Sequence, residues 1–131
     1  MTGRGSERVR VQRRLRRLTA YVAEPPQRHE QSAIVRALEQ AAELRMAGGT
    51  ILAGFEGFGH GHHLHHTGLR HAADETPMTL VIVDTAERIA SFLPTLRGLL
   101  PGALLTVEDV QTIRYIRPLD HPERAPADPI P

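Results

Sequence analysis

The chain is predicted to fold as an α+β domain, a four-stranded antiparallel sheet with two helices on one face, in the order βαββαβ. Three observations lead there. Two stretches carry apolar residues at helical spacing, Ile34, Ala37, Leu38, Ala41 and Leu44 in the first and Ile89, Phe92, Leu93 and Leu96 in the second. Four shorter stretches alternate or run apolar as strands do, and they flank the helical ones. Pro and Gly pairs punctuate the joints between them.

Residues 1–13 read as a flexible Arg-rich leader, and the domain proper as residues 14–117. From Arg14 to Glu24 a loose alternation with Leu18, Tyr21 and Val22 suits a first strand, which Pro25-Pro26 stops. The first helix is expected over 30–46, closed by Gly48-Gly49, because a helix C-terminus favours a residue that enters the left-handed region freely. Thr50 to Phe55 forms a second strand, and the Gly- and His-rich stretch 56–71 follows as a loop.

Met78 to Val83 (MTLVIV) is a continuous apolar run of the kind buried at a sheet centre. Asp84, with Glu87 three residues on, has the form of a capping box opening the second helix. Pro94 inside that helix is expected to bend it or confine it to its first turns. Pro101-Gly102 turns the chain into a last strand over 107–116, with Ile113 and Tyr115 on one face. The Pro-rich tail, 118–131, is expected to be disordered.

Two right-handed β-α-β crossovers side by side make this a ferredoxin-like sandwich. Its second sheet face has no helix to cover it. The apolar central strand nevertheless wants cover there, a physical reason to expect an oligomer.

Composition narrows the function. At 131 residues with 40% hydrophobic content the chain builds one ordinary core. The absence of cysteine excludes disulfides and thiol catalysis and fits a cytoplasmic protein. No apolar run approaches the roughly 20 residues that cross a bilayer. With no lysine, no Schiff base forms, and no Ser or Thr stands in a nucleophile motif, so the chain is read as no enzyme. Residues 1–17 hold seven Arg and one Glu, leaving the remainder net acidic. Such a segment touches phosphates or an anionic surface, or is simply solvated. It lacks aromatic residues that stack on bases, and no nucleic-acid partner is expected.

Several phrases are familiar together: LTAYVAE, LRMAGGTILAGFEGFG, LHH at Leu64 to His66, DTAERIASFLP and LLTVEDVQTIRY. Through them the chain resembles, from about Leu18 to Tyr115, the PII-like proteins grouped as domain of unknown function 190. The resemblance implies a ferredoxin-like homotrimer that binds a small ligand in clefts between subunits. The ligand class implied is an adenine nucleotide: AMP, ADP, ATP or cyclic AMP. The loop 56–71 would then act on a target protein, with a membrane transporter as a reasonable class of target.

Candidate ligand contacts fall in Gly54-Phe55-Glu56-Gly57-Phe58-Gly59, where glycines at a strand end let backbone N–H groups approach a phosphate. Gly54, Gly57 and Gly59 are expected at the phosphates, Glu56 is counted among the ligand contacts, and Phe58 lies against a base or plugs the subunit junction. Arg28, Arg114 and Arg117 are expected to close the cleft, since a guanidinium fork suits phosphate oxygens. Where relatives carry a basic, Gly-containing segment and Pro-Leu, this chain has Arg28-His29-Glu30-Gln31-Ser32-Ala33, and Glu30 brings negative charge there.

The histidines are the other departure. His60, His62, His63, His65, His66 and His71 lie within twelve residues. Imidazole favours zinc, nickel and copper, so His60, His62, His63, His65 and His66 form an alternative metal-binding set, with Glu56 or Asp74 adding an oxygen. A proton-sensing loop and a merely solvated one are the other readings of the same residues.

Overall fold

The computed structural model describes residues 8–24, 32–54, 56–58, 65–66 and 76–117. Eight elements follow in order: β1 (Val9–Glu24), α1 (Ala33–Glu43), β2 (Gly48–Ala53), β3 (Glu56–Gly57), β4 (His65–His66), β5 (Thr76–Asp84), α2 (Ala86–Leu99) and β6 (Leu104–Ile116). The four long strands make one sheet in the order β2-β5-β1-β6, and β3 with β4 make a separate two-stranded ladder. The long sheet and two helices are the ferredoxin-like arrangement expected, with the apolar run 78–83 in an interior strand. The chain divides into two compact units, Arg16–Glu108 and the segments Met1–Leu15 with Asp109–Pro131.

In the larger unit β5 pairs antiparallel with both neighbours. Leu18 stands opposite Ile82 and Ala20 opposite Leu80, while Gly49 and Ile51 meet Ile82 and Leu80 from the other side. Because side chains alternate across a strand, this row faces the helices. Leu18, Ala20, Leu80 and Ile82 are buried there with Ile34, Ala37 and Ala41 of α1 and Ile89, Phe92 and Leu96 of α2. Each Leu, Ile or Phe among them contributes about 1.5–3 kcal/mol by leaving water, each Ala less.

The opposite face carries Thr19 and Thr50 beside Val81, and Tyr21 and Leu52 beside Thr79. Tyr21, Leu52 and, on β6, Leu104 are exposed large apolar residues.

The element boundaries depart from expectation in instructive places. β1 begins at Val9, ahead of the Arg14 expected, so residues 9–13 of the expected leader lie within a strand. Alternation of Arg with Val9 and Val11 was hidden by the charge of the stretch. α1 is not closed by glycine: Arg45 takes the left-handed conformation, φ 56°. Arg45 N donates to Ala42 O and Met46 N to Ala41 O, the paired bonds of a Schellman motif, and buried Met46 supplies its apolar contact. Gly48 and Gly49 belong to β2, where a Cβ on Gly49 would stand 2.8 Å from Leu38 Cδ1. Arg45→Gly is therefore expected to raise stability by up to about 1 kcal/mol, the left-handed strain relieved less the backbone entropy glycine loses. A higher denaturant midpoint at unchanged slope is the check; a lower one sinks the reading.

α2 also corrects the sequence. Its N-cap is Thr85, whose hydroxyl accepts from Arg88 N; Asp84 is the last residue of β5. The helix runs through Pro94 to Leu99. Pro94 and Ala90, whose carbonyl is the one that loses a partner, both lie on the exposed side of the helix, while Ile89, Phe92 and Leu96 stay buried and outweigh the roughly 3 kcal/mol proline costs. No helix among the described residues is long and apolar enough to cross a membrane.

Candidate functional site

The sheet end where β1 stops, β2 stops and β5 starts gathers two of the segments singled out in the sequence. Pro77 is its floor. It stands opposite Ala23 of β1, and its carbonyl accepts from Gly54 N at 2.7 Å. A Cβ on Gly54 would lie 3.2 Å from the Pro77 ring and 3.3 Å from its carbonyl oxygen, and one on Gly57 3.4 Å from the Pro77 ring. Backbone therefore crosses Pro77 closely enough to favour glycine at position 54, while a Cβ on Gly57 would make only ordinary van der Waals contact. Neither Gly54 nor Gly57 has positive φ. Close approach, not left-handed curvature, explains Gly54.

Just after Gly54 the chain forms β3, which pairs antiparallel with β4, Glu56 opposite His66 and Gly57 opposite His65. Both short strands lie against β5. The ladder thus brings Glu56 and Gly57 beside His66 and His65 at this end of the sheet. Phe58 follows directly, an aromatic ring 67% exposed at the rim. An exposed ring beside closely approached backbone is what a flat heteroaromatic ligand or a neighbouring subunit would meet.

The second segment begins at the same end. Glu24 stands opposite Thr76, one residue from Pro77. Its Oε1 accepts from Ser32 Oγ at 2.8 Å and from Ile34 N at 2.9 Å. Ser32 is in turn the N-cap of α1, accepting from Val35 N. One carboxylate thus satisfies an orphan N–H of the first helical turn and pins the exit of β1 to the entry of α1. The segment 25–31, which contains Arg28, leaves and returns at these two tied residues.

Of the expected ligand set, Gly54, Glu56, Gly57 and Phe58 stand together on this end. Arg114 and Arg117 lie in and just after β6, in the smaller unit, and both are exposed. Arg28, Gly59, His60, His62 and His63 lie outside the described residues, as do His71 and Asp74; His65 and His66 are placed by their backbone in β4. Sequence reading missed Pro77 as the floor and Glu24 as the tie. Each acts through a partner distant along the chain, and only a Pro set one residue inside a strand start hinted at the first. A separate open hollow of about 370 Å³ lies beside the second half of α2, lined by Leu93, Pro94, Leu100 and Leu105 with Arg97.

Comparison with known proteins adds the following. The family described as an uncharacterized ACR, domain of unknown function 190, matches residues 15–112. No curated protein matches the chain. Solved structures of PII-like proteins share its fold, two of them of one protein. One is CPII, a nitrogen regulatory PII-like protein from Thiomonas intermedia K12, bound to ADP, AMP and bicarbonate, 16% identical over 79% of this chain and 92% of its own, TM-score 0.53. The other is the apo form of the same protein, 14% identical over 81% of this chain and 99% of its own, also at 0.53.

Proposed function

The chain belongs to the domain of unknown function 190 family, and from that premise we propose that it is a non-enzymatic, cytoplasmic PII-like regulator. It senses an adenine nucleotide at clefts between the subunits of a homotrimer. The ordered or released loop 56–71 then acts on a target protein, with a membrane transporter the class favoured. The single observation carrying this reading is the end of the sheet itself. Gly54 and Gly57 fold over Pro77, Phe58 stands exposed, and the Arg28 segment starts and ends at Glu24 and Ser32 beside them. CPII, which shares the fold, is bound to ADP and AMP, and that supports the same ligand class here.

The test is a thermal-shift series on the untagged, metal-free protein with AMP, ADP, ATP and cyclic AMP. Specific binding raises the melting temperature, by roughly 2.7 kcal/mol of stabilisation at 100-fold excess over Kd. Phe58→Ala is expected to weaken the nucleotide about tenfold, the scale of one base stacked on a ring, and to leave the unliganded melting point alone. Silence from all four nucleotides refutes the proposal.

The trimer is expected to use the uncovered sheet face. Leu52→Asp places a charge on it at a position 55% exposed in the single chain. We expect it to convert a trimer to monomer in light scattering while the fold is kept. A trimer that survives Leu52→Asp moves the interface elsewhere.

A second reading is favoured by the β3–β4 register, which sets Glu56 directly across from His66. Carboxylate and imidazole residues at one register position suit zinc, nickel or copper, with His60, His62, His63 and His65 nearby in sequence. Changing His60, His62, His63, His65 and His66 to serine is expected to abolish any metal-induced shift and leave the nucleotide shift intact. Loss of both together would join the two sites into one.

A further inference from the structure

We infer that the exposed face of the smaller unit's strands, Arg8, Arg10 and Arg14 of the β1 stretch with Ile113 and Tyr115 of β6, docks on an anionic lipid bilayer surface. The face follows from alternation. Arg17 and Glu108 form an ion pair at 2.7 Å, which sets odd-numbered residues of β1 and even-numbered residues of β6 on one side. Even residues of β1 and odd residues of β6 then share the other. Arg8, Arg10 and Arg14 are exposed on that second side, as are Ile113 (50%) and Tyr115 (56%); on the first side Leu15 is buried and Val11, Val110 and Ile116 are half-buried, with Val9 and Arg114 exposed. Thr112 Oγ1 donates to Arg13 O, tying the two strands within this unit.

The described residues of this unit hold six arginines and one acid, Asp109, which shares the odd-numbered side of β6 with Ile113 and Tyr115. On one face of an extended strand alternate residues repeat at roughly 7 Å, so Arg8 and Arg10 stand as adjacent cationic posts with Arg14 further along the row. Such a row attracts any polyanion. The exposed Ile113 and Tyr115 select among them. A single-stranded nucleic acid would use successive rings, and this face offers one. A small anion has no use for Ile113. The headgroup layer of a bilayer offers phosphates and carboxylates for the guanidiniums and, just beneath, acyl chain for isoleucine and tyrosine, which suits a peripheral face. The anionic leaflet of a cytoplasmic membrane holds each such basic residue by about fivefold in affinity.

The experiment is co-sedimentation of the untagged full chain with phosphatidylcholine vesicles and with vesicles of phosphatidylcholine and phosphatidylserine, at low and high salt. Binding is expected only to the serine-containing vesicles, and salt should weaken it. The triple change Arg8→Ala, Arg10→Ala, Arg14→Ala is expected to weaken it on the order of 100-fold, with the melting temperature unchanged. The triple change to lysine should retain it. Ile113→Ser with Tyr115→Ser should weaken binding and remove what survives at high salt. Equal binding to neutral vesicles overturns the inference, as does no binding, or a triple alanine variant that binds as before. Tighter retention on a single-stranded oligonucleotide than on the anionic vesicles at the same salt also overturns it, in favour of a nucleic-acid face.

Discussion

Phe92→Ala is expected to cost about 3–5 kcal/mol, the range for deleting a fully buried ring. Phe92 is 1% exposed and the largest of the fully buried side chains, set on α2 between Ile89 and Leu96. Among the described residues, the core around Phe92 is aliphatic, and Leu18, Leu80 and Ile82 are held in place by the sheet, so no second ring fills the gap. The cavity therefore stays open and the full cost is felt. Chemical denaturation at fixed protein concentration, with the slope unchanged, measures it; the concentration is held because assembly adds to apparent stability. Phe92→Leu should recover more than half of the loss. A Phe92→Ala penalty below about 1 kcal/mol would mean that α2 is not seated as described.

That seating matters to the candidate site. α2 and α1 clamp β5 from one side through Leu80 and Ile82, and β5 begins at the Pro77 over which Gly54 and Gly57 cross. A loosened β5 would shift the floor of the turn before it unfolded the sheet. Nucleotide binding is thus expected to fall in Phe92→Ala by more than any direct contact explains, since Phe92 is buried among core side chains.

The fold was readable because its two periodicities are each dictated by a face that must be buried. Ile34, Ala37 and Ala41 recur at helical spacing, and the run 78–83 is apolar at every position but Thr79, so element types and order follow from the chain alone. What failed were decisions settled by tertiary context. Arg45 adopts a conformation that glycine would take more cheaply because Met46 is buried beyond it. Pro94 does not end α2 because the residues on either side pay more by burial than one lost bond costs. β1 extends back to Val9 through arginines that propensity assigns to no strand, since its pairing there comes from β6, nearly a hundred residues later.

The site divides in the same way. A glycine-rich turn after the second strand announces itself locally, and so does an exposed Phe58. The reason for Gly54, a proline 23 residues later, does not. Nor does the bond from Ser32 to Glu24, which joins a strand end to a helix start.

Asp84 is the polar counterpart of Phe92, and its loss should be nearly as costly. Its carboxylate is 3% exposed at the end of β5 and serves three elements. Oδ1 accepts from Thr85 N at 2.6 Å, the joint into α2; Oδ2 accepts from Ala47 N at 3.1 Å, the joint from α1 into β2, and from Arg88 Nε at 2.9 Å. Arg88 also donates to Leu44 O, the C-cap of α1. Asp84→Ala removes the acceptor from two main-chain N–H groups at once, each worth about 1–3 kcal/mol when left unsatisfied. A total of about 3 kcal/mol is expected rather than the upper sum, because the Arg88 side chain is 47% exposed and turns to water. Asp84→Asn keeps one acceptor oxygen and should fall between, while Arg88→Ala should cost about 1 kcal/mol or less. The order Ala, then Asn, then Arg88→Ala in denaturant midpoint assigns the effect to the main-chain bonds. If Arg88→Ala matched Asp84→Ala, the ion pair, not the joint between α1, β2 and α2, would carry the stability.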